Sequence, residues 1–303
     1  MTYLRCISMG SPGRRTDSHG PRICRWIAAL ALGAALYAPA VDAQTYERQL
    51  IAPNVYSFGG GGYFSMFVVT DAGVVVMDPV DPDFAAAMRL SIAEVTPQAP
   101  VFVIYSHDHW DHIRGGAVFK SEGATIISHQ LARESILARP HPDVVVPDIA
   151  WSGDQRDITF GGTDFELYYF GENHGNGMTG VLLPAERVLF TVDLVKPQTV
   201  GFAILPETSP RQWVRTLFEI DALPFDTILM GHRDHSAPKS VVAEQRQFLI
   251  DLDNAVQARL DAGQSPFSIP DTLELPQYQT WEDYDEYLSL NTWRVVFEKW
   301  LGW

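Results

Sequence analysis

Four short apolar runs in this chain are each followed, within four residues, by histidine or aspartate. Residues 101–105 (VFVIY) lead into Ser106 and the cluster His107-x-His109-x-Asp111-His112. The run 167–170 precedes His174, 188–192 precedes Asp193, and 227–230 precedes His232. Runs rich in β-branched and aromatic residues at this length read as buried strands. Donors placed just past four such strands converge on one rim of a sheet, which confines the fold to one that brings those strand ends together. A lone histidine beside a strand is more often a core or surface residue than a ligand. The cluster together with three further strand-end donors makes that bland reading remote. Seven nitrogen and oxygen donors are enough for two metal ions, and their borderline softness suits zinc, with iron or manganese as alternatives.

The pattern H-x-H-x-D-H, then a lone His, a lone Asp at a strand end and a final His, resembles the metallo-β-lactamase superfamily over roughly residues 45–262. The resemblance implies that His107, His109 and His174 hold one metal and that Asp111, His112 and His232 hold a second. Asp193 would bridge the two, and Asp111 and Asp193 would also orient a hydroxide shared between the metals. It further implies that Asp78, at the end of the strand 74–77, braces the ligand loops. Residues 59–62, four glycines, would form a flap, with Tyr63 and Phe64 touching an apolar substrate. Lys196 stands where some relatives pair a lysine with a substrate carboxylate. Val192 occupies a position where the family commonly has glycine, so the turn there is the one departure. Among the remaining histidines, His235 is expected to orient a ligand, and His129 and His141 to be loop or edge residues.

Around these motifs the chain alternates strands and helices. Strands are expected near 55–58, 63–70 and 73–77, and Asp81-Pro82 signals a helix start. Residues 140–155, with Pro140, Pro142 and Pro147, read as an irregular loop. Two hairpins follow, near 157–169 and 180–192. Ser209-Pro210 opens a helix burying Trp213, Leu217 and Ile220, and a long helix presents Leu249, Leu252, Val256 and Leu260 on one face. The expected fold class is α/β: a four-layer αβ/βα sandwich with a C-terminal helical extension. The domain reading is 1–43 as a leader, 44–263 as the sandwich, and 264–303 as an aromatic, acidic extension. That extension is expected to dock through Trp293, Phe297 and Trp300, spaced i, i+4, i+7, or to serve as a homodimer contact or a wall of the substrate cleft.

Residues 1–43 read as a secretory signal peptide: Arg22 and Arg25, an apolar run over 26–37, and a small-residue site at Val41-Asp42-Ala43. Met1 and Met9 are both candidate starts. The mature chain is therefore expected to be periplasmic or secreted, without a membrane anchor. Both cysteines, Cys6 and Cys24, fall in the leader, so no disulfide or thiolate ligand is expected in the mature chain. The leader carries five arginines and two aspartates, so without it the net charge falls from −15 to −18. Such a surface repels phosphate backbones and argues against a nucleic-acid substrate. The expected activity is hydrolysis of a small carbonyl compound, a β-lactam or lactone. The alternatives are a glyoxalase-II-like thioesterase and a one-iron oxygenase of the persulfide dioxygenase kind.

Overall fold

The computed structural model describes residues 45–302; the leader expected over 1–43 lies outside the described residues. The first sheet holds seven strands in sequence order: β1 (Glu47–Ala52), β2 (Val55–Gly60), β3 (Tyr63–Thr70), β4 (Gly73–Met77), β5 (Pro100–Ile104), β6 (Thr125–His129) and β7 (Ile149–Trp151). Strands β1 to β4 pair antiparallel and β4 to β7 parallel. Parallel pairs need crossovers, and helices supply three of them: α1 (Pro82–Val95), α2 (Trp110–Ile113) with α3 (Gly116–Ser121), and α4 (Gln130–Ala138). The second sheet begins with β8 (Gln155–Phe160), β9 (Thr163–Tyr169), β10 (Thr179–Leu183) and β11 (Val188–Phe190). Helix α5 (Pro210–Ala222) crosses to β12 (Thr227–Leu229), parallel to β11, and β13 (Ala237–Pro238) closes the edge. Helices α6 (Ser240–Asp261) and α7 (Tyr284–Leu301) complete the chain.

Alternation along the strands builds the layers. In β4, Val75 and Met77 face the second sheet and join Met66, Ile104, Phe165, Leu183 and Phe190 in the inter-sheet core. Their neighbours Val74 and Val76 face the other way, against Phe84, Met88 and Ile92 of α1 and Phe119 of α3. On the second sheet Leu182, Leu189 and Ile228 turn outward onto Trp213, Leu217 and Ile220 of α5, Leu249 and Leu252 of α6, and Val295 and Val296 of α7. A strand apolar on both faces is what a sheet covered on both sides requires. The result is the expected four-layer sandwich with its C-terminal helix. Helix α1 starts where Asp81 accepts from Phe84 N at 2.9 Å, and α5 where Ser209 accepts from Gln212 N.

Three local expectations need correction. Residues 140–155 are not wholly irregular, because 149–151 form β7 against β6. His129 is buried at the end of β6, stacked 4.3 Å from Tyr169 and edge-on to Trp151, and so stitches the two sheets together. Helix α7 does dock on the sandwich, but through Tyr284, Leu288, Asn291, Thr292, Val295 and Val296. Trp293 and Trp300 gather instead around Phe267, with Phe297 beside Trp293, and Trp300 is half exposed. No helix among the described residues is long and apolar enough to cross a membrane.

Candidate metal centre

All seven donors singled out from the sequence meet at one end of the sandwich. His107 and His109 follow β5, His112 lies in α2, and His174 follows β9. Asp193 and His232 leave the parallel neighbours β11 and β12 on the same side. Ligand atoms of His107, His109, His174 and Asp193 lie within 4.8 Å of one another, as do those of Asp111, His112 and His232. Asp193 stands between the sets. Its Oδ2 lies 3.0 Å from His112 Nε2 and 3.5 Å from the Nε2 atoms of His107 and His174, and its Oδ1 lies 3.0 Å from His232 Nε2.

The inner half of this cluster is sealed. His107 and His112 are fully buried, yet their Nε2 atoms, with Asp193 Oδ2, have no hydrogen-bond partner. Most buried polar atoms find a partner, and these three differ from the other unpaired ones in facing one another. Three orphaned donor atoms facing one another fit a divalent cation, and the His/Asp composition fits it too. The outer half is open: the Asp111 side chain is 44 % exposed.

The protonation states of His107, His174 and Asp193 favour the same use. Burial drives His107 well below the ordinary histidine value and His174 down to about 4, so both present neutral imidazoles. For His112 burial acts downward but is outweighed by Asp193 and Asp78, which hold it well above its ordinary value. Burial would raise Asp193, yet His112, His232 and His174 keep its carboxyl well below the ordinary range.

The braces are specific. Asp78, fully buried, accepts from Ser106 N at 2.7 Å and from Ser106 Oγ at 2.6 Å. With its one proton given to Asp78, Ser106 Oγ must accept from His107 Nδ1, 2.8 Å away, which leaves the lone pair on Nε2. Asp78 also lies 3.4 Å from His112 Nδ1. Gly62 O lies 3.1 Å from His232 Nδ1, and Glu207 Oε2 lies 3.1 Å from His109 Nε2. Beneath the cluster, buried Asp108 accepts from Asn176 N and from Ser135, and pairs with Arg139. Ser106 and Asp108 sit within the histidine motif and were open to discovery from sequence. Glu207 and Thr208, the latter 3.4 Å from His174 Nδ1, carry no local signal.

Other expected contacts divide. Tyr63 is at the site: its ring is 4.8 Å from His232 and its hydroxyl 3.4 Å from Asp111 Oδ2. Phe64 is not. Its ring fills the space beneath Gly59 and packs on His235, because adjacent strand residues point to opposite faces. His235 in turn bonds Ser57 Oγ at 2.9 Å and braces this hairpin, not a ligand. Nor are residues 59–62 a loose flap: Phe64 N donates to Gly231 O, Gly62 O meets His232, and Gly59 and Gly60 have no room for a Cβ. Lys196 lines a small cleft with His174 and Asp193, walled by Val200, Leu205, Pro206 and Trp213. His141 packs 4.3 Å from the exposed Trp110, between His109 and Asp111 in sequence.

The Val192 departure has a structural answer. Asp193 adopts φ 62°, a left-handed conformation that aspartate tolerates better than most residues. Val192 is fully buried, and the room it takes is released by Gly231. A Cβ there would lie 2.7 Å from Val192 Cβ and 2.9 Å from His112 Cε1.

Comparison with known proteins agrees with this geometry. The chain is 27 % identical over 243 residues to the 2,4-dinitroanisole O-demethylase subunit alpha of Nocardioides sp., covering 80 % of this chain and 72 % of that one. It is 26 % identical to a type 2 metallo-beta-lactamase of Elizabethkingia meningoseptica, over 69 % of this chain and 88 % of that one. In fold it resembles a metallo-beta-lactamase from Pontibacter korlensis, with TM-score 0.61, 17 % identity and coverage of 68 % and 99 %. It also resembles a sec-alkylsulfatase from Pseudomonas sp., with TM-score 0.66 and 17 % identity, over 84 % of this chain and half of that one. Residues 58–232, more than half of the sequence and every donor of the cluster, match the family directly, and the chain belongs to the metallo-beta-lactamase superfamily.

Proposed function

We propose that this protein is an exported hydrolase that works with two zinc ions, iron or manganese being the alternative metals. The observation that carries the reading is the set of orphaned, buried donor atoms of His107, His112 and Asp193, completed by His109 and His174 on one side and Asp111 and His232 on the other. A pair of divalent cations held there supplies Lewis acidity and water ionised near neutral pH. The chain does the rest. Asp111, on the open side, orients the attacking water through Oδ2, and the Tyr63 hydroxyl beside it steadies that carboxylate. Lys196, with no ion-pair partner among the described residues, meets an anionic group of the substrate beside His174.

The substrate is a compact, partly apolar cyclic amide or ester, a β-lactam or lactone. Support comes from the aliphatic and aromatic walls of the cleft and from the similarity to metallo-beta-lactamases. A net charge of −15, or −18 without the leader, disfavours a phosphodiester or nucleic acid, and the scarcity of cations around the cleft disfavours a glutathione thioester. Similarity to both subunits of a 2,4-dinitroanisole O-demethylase favours one second reading, cleavage of an activated aryl methyl ether. As to partners, the aromatic patch of Phe267, Trp293 and Trp300 on the C-terminal extension is the surface proposed for a homodimer.

Comparing kcat/KM for a cephalosporin, an acyl lactone, 2,4-dinitroanisole, a thioester and a phosphodiester tests the substrate class. A preference for either of the last two contradicts it. Lys196→Ala is expected to raise KM about tenfold or more for anionic substrates, the scale of one charge-assisted hydrogen bond, and to leave neutral lactones unchanged. Equal effects on both would remove Lys196 from the substrate site.

A further inference from the structure

The loop that follows Asp193 touches the cluster at two points, and the C-terminal extension holds it there. Gln198, Ala203, Leu205 and Glu207 all have φ between 45° and 60°, a conformation that L residues keep only where the surroundings impose it. The extension supplies those surroundings. Val200 N donates to Glu282 O, and Glu282 N donates to Gln198 O. From α7, Asn291 Nδ2 reaches Gly201 O at 2.8 Å and Ala203 O at 2.9 Å, and Arg294 Nε reaches Thr208 O at 2.7 Å. Glu298 receives Ser209 Oγ and Arg211 N. Asn291 is fully buried although polar, and its Nδ2 gives both of its hydrogens to loop carbonyls. Glu282 also pairs with Arg233, the residue after His232. All of these extension residues lie beyond the segment 58–232 that matches the superfamily.

What the loop delivers is Glu207. Its Oε2 lies 3.1 Å from His109 Nε2, and its Oε1 lies 3.6 Å from Arg139 Nη1. Arg139 in turn pairs with Asp108, between His107 and His109. We propose that Glu207 is a positioning residue for the metal donor His109, and that the C-terminal extension is the device that holds it in place. With Nε2–H donating to the carboxylate, the lone pair of His109 is fixed on Nδ1 and the ring cannot turn. A carboxylate behind a ligating imidazole also makes it a stronger donor. The extension is thus part of the metal site, acting through a loop that it fastens at Gln198, Val200, Gly201, Ala203 and Thr208. This inference rests on the metal-centre reading above.

The test uses the full chain, loaded with zinc and titrated with a chelator, beside thermal melting of the metal-free form. Wild type is expected to release zinc in two steps. Glu207→Ala should weaken one of them about 10–100-fold, the usual cost of losing such a partner, with the metal-free melting temperature unchanged. Glu207→Gln, whose Oε1 still accepts from Nε2, should recover most of the loss. Asn291→Ala, which touches no donor, should weaken the same step, and the double variant should be no worse than Glu207→Ala alone, because both act through one contact. Should Asn291→Ala fail to fold, the Glu207 pair decides. Unchanged zinc release in Glu207→Ala, or full additivity of the two substitutions, overturns the inference while leaving the metal centre intact. A wild type that binds no zinc overturns the metal-centre reading and this inference with it.

Discussion

Asp193→Asn is expected to abolish hydrolysis and to cost the site at least one of its metals, with the sandwich still folded. Asparagine keeps the size of the side chain and tolerates the left-handed backbone at φ 62°, so only the charge is lost. That carboxylate lies within 3.5 Å of all four imidazoles of His107, His112, His174 and His232. Without it two divalent cations would share one carboxylate, Asp111, which lies on the open side. Loss of several kcal/mol of transition-state stabilisation corresponds to a fall in kcat/KM of about 10³-fold or more. Steady-state kinetics and metal content, with circular dichroism as the control for folding, check it. A variant that keeps more than a tenth of the activity would show that Asp193 does not join the two sets.

The seven donors were legible in the sequence because their chemistry is carried by residue type and their placement by a local rule, the end of a strand. Asp78 was legible for the same reason. Contacts that depend on distant segments were not. Glu207 and Thr208 lie in a loop without periodicity, and what places them is α7, more than 80 residues further on. Trp293, Phe297 and Trp300 form a fair amphipathic stripe, which in sequence points to the wrong face of α7. The stripe that is buried includes Asn291 and Thr292, and a polar residue enters a core only when partners await it there. Phe64 was grouped with Tyr63 against the alternation of the strand, which sends one to the site and the other to His235. The four glycines suggested freedom of movement. In the fold two of them are glycine for want of space, and Gly62 lends its carbonyl to His232.

Asp78→Ala is expected to be the most destabilising single change near the site. The side chain is fully buried and takes two short hydrogen bonds from Ser106, with His112 Nδ1 at 3.4 Å. Its removal leaves a buried N–H and a buried hydroxyl without their acceptor and a buried imidazole with one fewer counter-charge, Asp193 remaining close. Cutting one partner from such a buried network costs about 3–5 kcal/mol. Urea unfolding of the metal-free protein measures the loss. The freed Ser106 hydroxyl would no longer dictate the tautomer of His107, so zinc affinity should fall as well. A loss below about 1 kcal/mol, typical of a surface change, would mean that the ligand loops stand without this brace.

Two sets of three donors, joined by Asp193, are proposed to form a binuclear zinc site. Elemental analysis of the full chain, purified without added metal and then equilibrated with zinc and dialysed, tests it most directly. Two zinc equivalents per chain are expected, falling to one or fewer in Asp193→Asn. A wild type that retains no metal, or a single iron with no zinc taken up, would contradict the account.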